Sequence, residues 1–133
     1  MATLTQDATV YLDTHVVVWL YGQGASAISE AAAEALRGAS RRLFSPMVRL
    51  ELQYLYEIGR VSLPPAPVLD ELNAVMGLDL CHMPFAAVIR AAEEHGWARD
   101  PFDRLIVAQA DLAEASLVTR DDTIHLNYSR AVW

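Results

Sequence analysis

Short apolar runs alternate along this chain with segments that carry helix signals, and that alternation leaves few architectures open. The runs are Thr9–Leu12, Arg42–Ser45, Leu78–Met83 and Leu117–Thr119, with Ala131–Trp133 as a last edge strand. After the first run, Thr14–Leu20 continues as helix or turn and is closed by Gly22 and Gly24. Ser29 caps a helix over Glu30–Leu36, which opens on an acid, ends at Arg37 and stops at Gly38, the order of charges that the helix dipole favours. Ser45-Pro46 supplies a cap and an N1 proline for a helix to about Ile58, with Gly59 behind it. Leu63–Pro67 reads as a stiff loop leading into a short helix, Val68–Met76. Pro84 or Phe85 starts a helix to about His95, where Gly96 ends it, and Asp100-Pro101 starts another to about Ala115. Asp122–Arg130 is a turn or short helix. Strands alternating with helices predict an α/β fold of three layers, a four- to five-stranded parallel sheet flanked by helices. No repeat or linker breaks the pattern, so residues 1–133 read as a single domain.

Composition narrows the function classes. Apolar residues make up 53% of the chain, too many for disorder. No stretch approaches the roughly 18 uninterrupted apolar residues of a membrane span. Met1–Asp7 is polar and lacks the basic-then-apolar signature of a secretory signal. Cys81 is the single cysteine, which excludes an intramolecular disulfide and a cysteine-rich zinc site. These features together fit a reducing, cytoplasmic setting. The ten basic residues are all arginine, so lysine chemistry is excluded, from Schiff bases to phosphate-binding P-loops. A net charge of −7 argues against a broadly basic nucleic-acid surface.

Ligands of parallel sheets bind outside the carboxyl ends of the strands. Asp13 directly follows Thr9–Leu12, and Asp121 follows Leu117–Arg120. Glu51 sits amid Val48, Leu50, Leu52, Tyr54 and Leu55 in an apolar helix, where a carboxylate needs compensation. Asp103 falls three residues after Asp100, in the first turn of its helix. Each has a structural reading beside the functional one. Asp13 can cap the segment that follows it, Asp103 is favoured at N3 by the helix dipole, and Asp100 before a proline is foremost an N-cap. Asp121 and Asp122 are adjacent, so one faces the cleft and the other caps the following turn. Gathered carboxylates repel by roughly 4 kcal/mol per close pair at an effective dielectric near 20, so such a cluster needs protons or a cation. An all-oxygen set suits Mg²⁺ or Mn²⁺, and hence metal-assisted phosphodiester chemistry. The metal candidates are therefore Asp13, Glu51, Asp103 and Asp121, with Asp100 and Asp122 as further possibilities.

Other residues play smaller parts. Thr14, Ser45 and Thr119 are candidates to orient a ligand or a bound water. Arg104 and Arg120 are candidates to hold phosphate, with surface pairing the equal alternative. His15, His82, His95 and His125 lack metal-ligand spacing, although His15 lies two residues from Asp13. No serine sits in a nucleophile elbow. Gly22 and Gly24 are too few for a dinucleotide fingerprint. Trp19, Trp97 and Trp133 read as core or interface residues rather than base-stacking platforms.

Four blocks, in order, resemble the PIN-domain family. They are Tyr11-Leu12-Asp13-Thr14-His15-Val16, Ser45-Pro46 through Glu51, Asp100-Pro101-Phe102-Asp103-Arg104-Leu105-Ile106-Val107-Ala108-Gln109-Ala110, and Leu117-Val118-Thr119-Arg120-Asp121. The block around Asp100-Pro101-Phe102-Asp103-Arg104 is the specific one. Within the family the chain looks most like the VapC-type toxins of bacterial toxin–antitoxin pairs. The resemblance implies a Mg²⁺- or Mn²⁺-dependent ribonuclease acting on tRNA or rRNA, a homodimer, and inhibition by a VapB-like antitoxin. It also implies an acidic site at Asp13, Glu51, Asp103 and Asp121, with Asp122 open as the fourth position. The rivals are a PIN-fold protein that binds a partner or RNA without cutting it, and a phosphatase using Asp13 as nucleophile. The missing lysine and the lack of a second acid two residues from Asp13 weigh against the phosphatase.

Overall fold

The computed structural model describes residues 8–133. In chain order these form β1 (Thr9–Leu12), α1 (Thr14–Gln23), α2 (Glu30–Gly38), β2 (Arg41–Phe44), α3 (Pro46–Glu57), α4 (Pro65–Met76), β3 (Leu78–Leu80), α5 (Phe85–Ala92), α6 (Pro101–Leu112), β4 (Ser116–Val118), α7 (Asp122–Asn127) and β5 (Ala131–Val132), with a 3₁₀ turn at Gly24–Ala27. The strands make one sheet in the order β3-β2-β1-β4-β5. Every pairing is parallel, with Tyr11 opposite Leu43 on one side and Leu117 on the other. The sequence predicts a four- to five-stranded parallel sheet flanked by helices, and the sheet has five strands.

The order matters for function. Strands run outward from β1 to β2 and β3 on one side, and β4 and β5 fill the other. The winding reverses between β1 and β4, the switch point at which a crevice opens beyond the strand ends. The backbone N–H of Asp13 donates to the Val118 carbonyl at 3.0 Å, which ties these two ends together.

The core lies along the sheet. Leu12, Val16, Val17, Val48, Ile106, Val107 and Leu117 are fully buried. Val88, Ala92 and Ala108 form a small second cluster between α5 and α6. The Tyr11 hydroxyl meets the Cys81 thiol at 2.9 Å, so the lone cysteine is a buried packing partner.

Boundaries differ from the sequence reading where proline and capping chemistry decide them. α4 begins at Pro65 rather than Val68, because the prolines at 65 and 67 occupy its first turn, where no N–H donor is required. α5 stops at Ala92, and the chain tightens through Glu94 and His95 by bonds to Ala91 and Ala92 carbonyls. α6 stops at Leu112, where Glu114 takes a positive φ of 52° and Ala115 N–H reaches back to the Ala110 carbonyl. A non-glycine residue performs the left-handed stop there, which explains why no sequence signal marked it. Ser45 leaves β2 to cap α3, and β3 ends at Leu80.

Leu117 has no exposed surface, whereas Leu126 is 85% exposed. Leu117→Ala should therefore cost about 2–5 kcal/mol of stability and Leu126→Ala less than about 0.5. Urea denaturation of the two variants tests this placement of the core.

Candidate active site

Asp13 caps α1 at the end of β1 and is only 6% exposed. One carboxylate oxygen accepts the Thr14 backbone N–H at 2.8 Å, and the other accepts the Thr119 hydroxyl at 2.7 Å. The same Thr119 oxygen accepts the backbone N–H of Asp121 at 3.1 Å. His125 Nε2 lies 2.7 Å from the Thr119 carbonyl, so that nitrogen carries the donated hydrogen. Thr119 is thus held from both sides and in turn fixes Asp13. Among the candidate hydroxyls it is the one bonded to an acid, whereas Ser45 is spent on capping α3. His125 was not singled out by sequence reasoning. Its partner is a backbone carbonyl six residues away, which leaves no motif.

Glu51 lies on α3, and its Oε1 is buried without a hydrogen-bond partner. The Thr14 hydroxyl is buried and unpartnered too, although it is near enough to favour Glu51 ionisation. Buried polar atoms without partners are rare and costly, so these two oxygens mark where something polar completes the site. Asp103 is half-buried at N3 of α6, behind Asp100, whose side chain accepts the Phe102 and Asp103 N–H groups.

The carboxylates act on one another. Burial pushes Asp13 up from the usual range against the pull of Thr119, Thr14 and His15, and Asp121 adds to the rise. Burial raises Glu51 as well, with Asp13 and Asp100 contributing. Asp103 is pushed up to about 7, first by burial and then by Asp13, Asp100, Glu51 and Asp121 in turn. The sequence-predicted acids are therefore near enough to act on one another's charge. Asp100 belongs to their electrostatic surroundings while serving as the α6 cap.

Two expectations are corrected in detail. Asp121 and Asp122 do not divide the roles, because Asp121 both faces the other acids and caps α7 through Ile124 N–H at 2.9 Å. Asp122 sits exposed in the first turn of α7. Arg104 is in part diverted, since its Nε donates to the Ala92 carbonyl at 2.8 Å and only its terminal nitrogens are left for another partner.

Among the described residues, no three acidic, histidine or cysteine side chains stand close enough to grip a metal ion as they are. The acids share a field without being closed into a cage. The donor set still fits a hard divalent cation. It is all oxygen, burial and neighbouring acids make Asp13, Glu51 and Asp103 resist ionisation, and Glu51 presents an unsatisfied oxygen.

The model of the PIN domain family matches residues 10–128, and the chain belongs to that family. No curated protein matches the sequence. Among solved structures, the chain resembles one from the VapBC2 complex of Rickettsia felis bound to a DNA fragment from their promoter. The TM-score is 0.64 at 17% identity, with 92% of this chain and 96% of that one covered. At that identity the likeness concerns the fold.

The raised Asp103 has a consequence for stability. In metal-free protein the folded state keeps this proton to about pH 7, while an unfolded aspartate loses it near pH 4. The folded state binds more protons across that window, so this group's contribution falls as pH rises from about 4 to about 7. In EDTA, Asp103→Asn should gain on the order of 1 kcal/mol relative to the unsubstituted protein between about pH 5 and pH 8, after solvent screening is allowed for. Urea titrations at both pH values read this out, and parallel curves would show Asp103 to be an ordinary carboxylate.

Proposed function

We propose that the protein is a metal-dependent endoribonuclease, the VapC-type toxin of a toxin–antitoxin pair, which hydrolyses phosphodiester bonds of tRNA or rRNA. The observation that carries this reading is the buried Asp13 carboxylate at the switch point of the sheet, bonded by Thr119 from across it, with Glu51, Asp103 and Asp121 in its field. Membership of the PIN domain family supports nuclease chemistry. The VapBC2 complex found among the structural relatives supports a VapB-like antitoxin as partner, and a homodimer remains part of the same proposal.

In this reading Asp13, Glu51, Asp103 and Asp121 hold Mg²⁺ or Mn²⁺, with Asp100 shaping the field and Asp122 outside it. The bound ion would supply an acidified water and charge neutralisation at the phosphate. The chain's own contribution is positional. Thr119 spends its hydrogen on one Asp13 oxygen while the Thr14 N–H holds the other, and so the two bonds fix the orientation of the carboxylate. Thr14 and Glu51 present their unpartnered oxygens on the α1–α3 side of the site. Helix α6 delivers Asp103 from its first turn, a rigid mount rather than a mobile loop.

Asp13→Asn and Asp103→Asn should each lower RNA cleavage in Mg²⁺ by at least about 100-fold, with circular dichroism unchanged. Incubation of total RNA with the unsubstituted protein in Mg²⁺ or Mn²⁺, against EDTA, is the direct assay. Full activity of Asp103→Asn would defeat the site assignment. Absence of cleavage in either metal, with tight binding of a partner peptide, would favour a non-catalytic interaction protein instead.

A further inference from the structure

Arg120 stands between Thr119, which bonds Asp13, and Asp121. Its guanidinium carbon lies 6.0 Å from the centroid of the Trp19 ring, within cation–π range. Trp19 meets Trp133 edge-on at 5.7 Å and His15 at 6.1 Å, one turn back on α1. His15 is exposed, and its charge acts on both Asp13 and Glu51, so this aromatic group borders the acids. The tryptophans pack on the core, as the sequence suggested, yet are only partly buried.

Several other arginines are committed elsewhere. Arg37 pairs with Glu30, and Arg42 donates to the Leu36 and Met76 carbonyls. Arg104 is bonded to Ala92, and Arg130 lies against Asp111. Arg120, like Arg41, Arg49, Arg60 and Arg90, is exposed and makes no ion pair among the described residues, and what distinguishes it is the aromatic ring beside its guanidinium. A chain of net charge −7 cannot hold a polyanion by its overall field, so any phosphate beside the acids needs a cation fixed locally. Trp19 supplies the fixing. A planar guanidinium beside an aromatic wall also suits a base whose face is free, and in a duplex those faces are stacked away.

We infer that Arg120, backed by Trp19 and flanked by His15, is the seat for an unpaired nucleotide of a single-stranded RNA segment next to the acidic site. The guanidinium takes the phosphate and its plane, with His15, stacks the base. The inference rests on the nuclease reading for the choice of RNA.

The test uses the full chain carrying Asp103→Asn, so that binding is read without turnover. Its probes are a fluorescein-labelled single-stranded RNA of about 12 nucleotides and a perfectly paired hairpin of similar length, followed by anisotropy in Mn²⁺. The single strand should bind at least about tenfold more tightly than the hairpin. Adding Arg120→Ala should weaken that binding about tenfold and reduce the salt slope by about 0.7. Arg120→Lys should keep the slope but lose part of the affinity, because the plane is gone. Arg41→Ala, at the opposite end of the sheet, should change neither. Unchanged affinity in Arg120→Ala, an equal loss in Arg41→Ala, equal binding of the hairpin, or no binding at all overturns the seat. Cleavage of total RNA by the unsubstituted protein is judged separately. Cleavage with Arg120-independent binding sinks the seat alone, and Arg120-dependent binding without cleavage supports the seat while removing the nuclease reading.

Discussion

The buried carboxylate of Asp13 is the constraint around which the functional edge of the molecule is arranged. A carboxylate removed from water is expensive unless its oxygens are met by donors. Here one oxygen is met by the backbone of the helix it caps and the other by Thr119 from across the sheet. The second bond links residues 106 positions apart and, with the Asp13 N–H bond to Val118, locks β1 against β4. Asp121 is attached to the same assembly through its own N–H. The acidic site is therefore assembled from strand ends and first helical turns, with Glu51 added from the second turn of α3.

That location also explains how so many acids tolerate one another. In a parallel sheet with helical crossovers, each helix after a strand begins at the carboxyl edge. α1, α3 and α7 start there, and their caps are Asp13, Ser45 and Asp121, while α6 brings Asp100 and Asp103 in its opening turn. The positive ends of helix dipoles favour carboxylates, each by about 0.3–1 kcal/mol. Asp103 nevertheless stays far above the usual aspartate range, first through burial and then through its acidic neighbours, so the helix ends leave part of the repulsion standing. A proton on Asp103 relieves it in the metal-free protein, and under the proposed function a divalent cation would take the proton's place.

Most of this was legible in the sequence. The strand at Thr9–Leu12, the cap at Ser45-Pro46 and the cap at Asp100-Pro101 are local signals, because capping depends on a residue and its next three neighbours. The convergence of Asp13 and Asp121 followed from strand order in α/β folds rather than from any local pattern. What stayed hidden was set by tertiary contacts. His125 serves a backbone carbonyl, Arg104 is diverted to the end of α5, and Asp121 combines two roles that two residues were expected to share. The start of α4 was obscured for a different reason. Prolines signal a loop and a first helical turn alike, and burial of Pro65 against the core decides between them.

The distribution of charge then limits how a site of this kind can handle a polyanion. Four acids facing a phosphate repel it, and the chain as a whole adds to that repulsion. If the site works as proposed, its carboxylates must be neutralised before a phosphate can approach within bonding distance. Long-range steering by the protein is weak or adverse, so recognition falls to contacts shorter than the Debye length of about 8 Å at physiological salt. Arg120, fixed on Trp19 beside Thr119 and Asp121, stands within such a range by virtue of its place in the chain. Under the proposed function, an acidic protein would in this way be selective for a nucleic acid, since only a segment able to reach that contact would be held long enough to be cut.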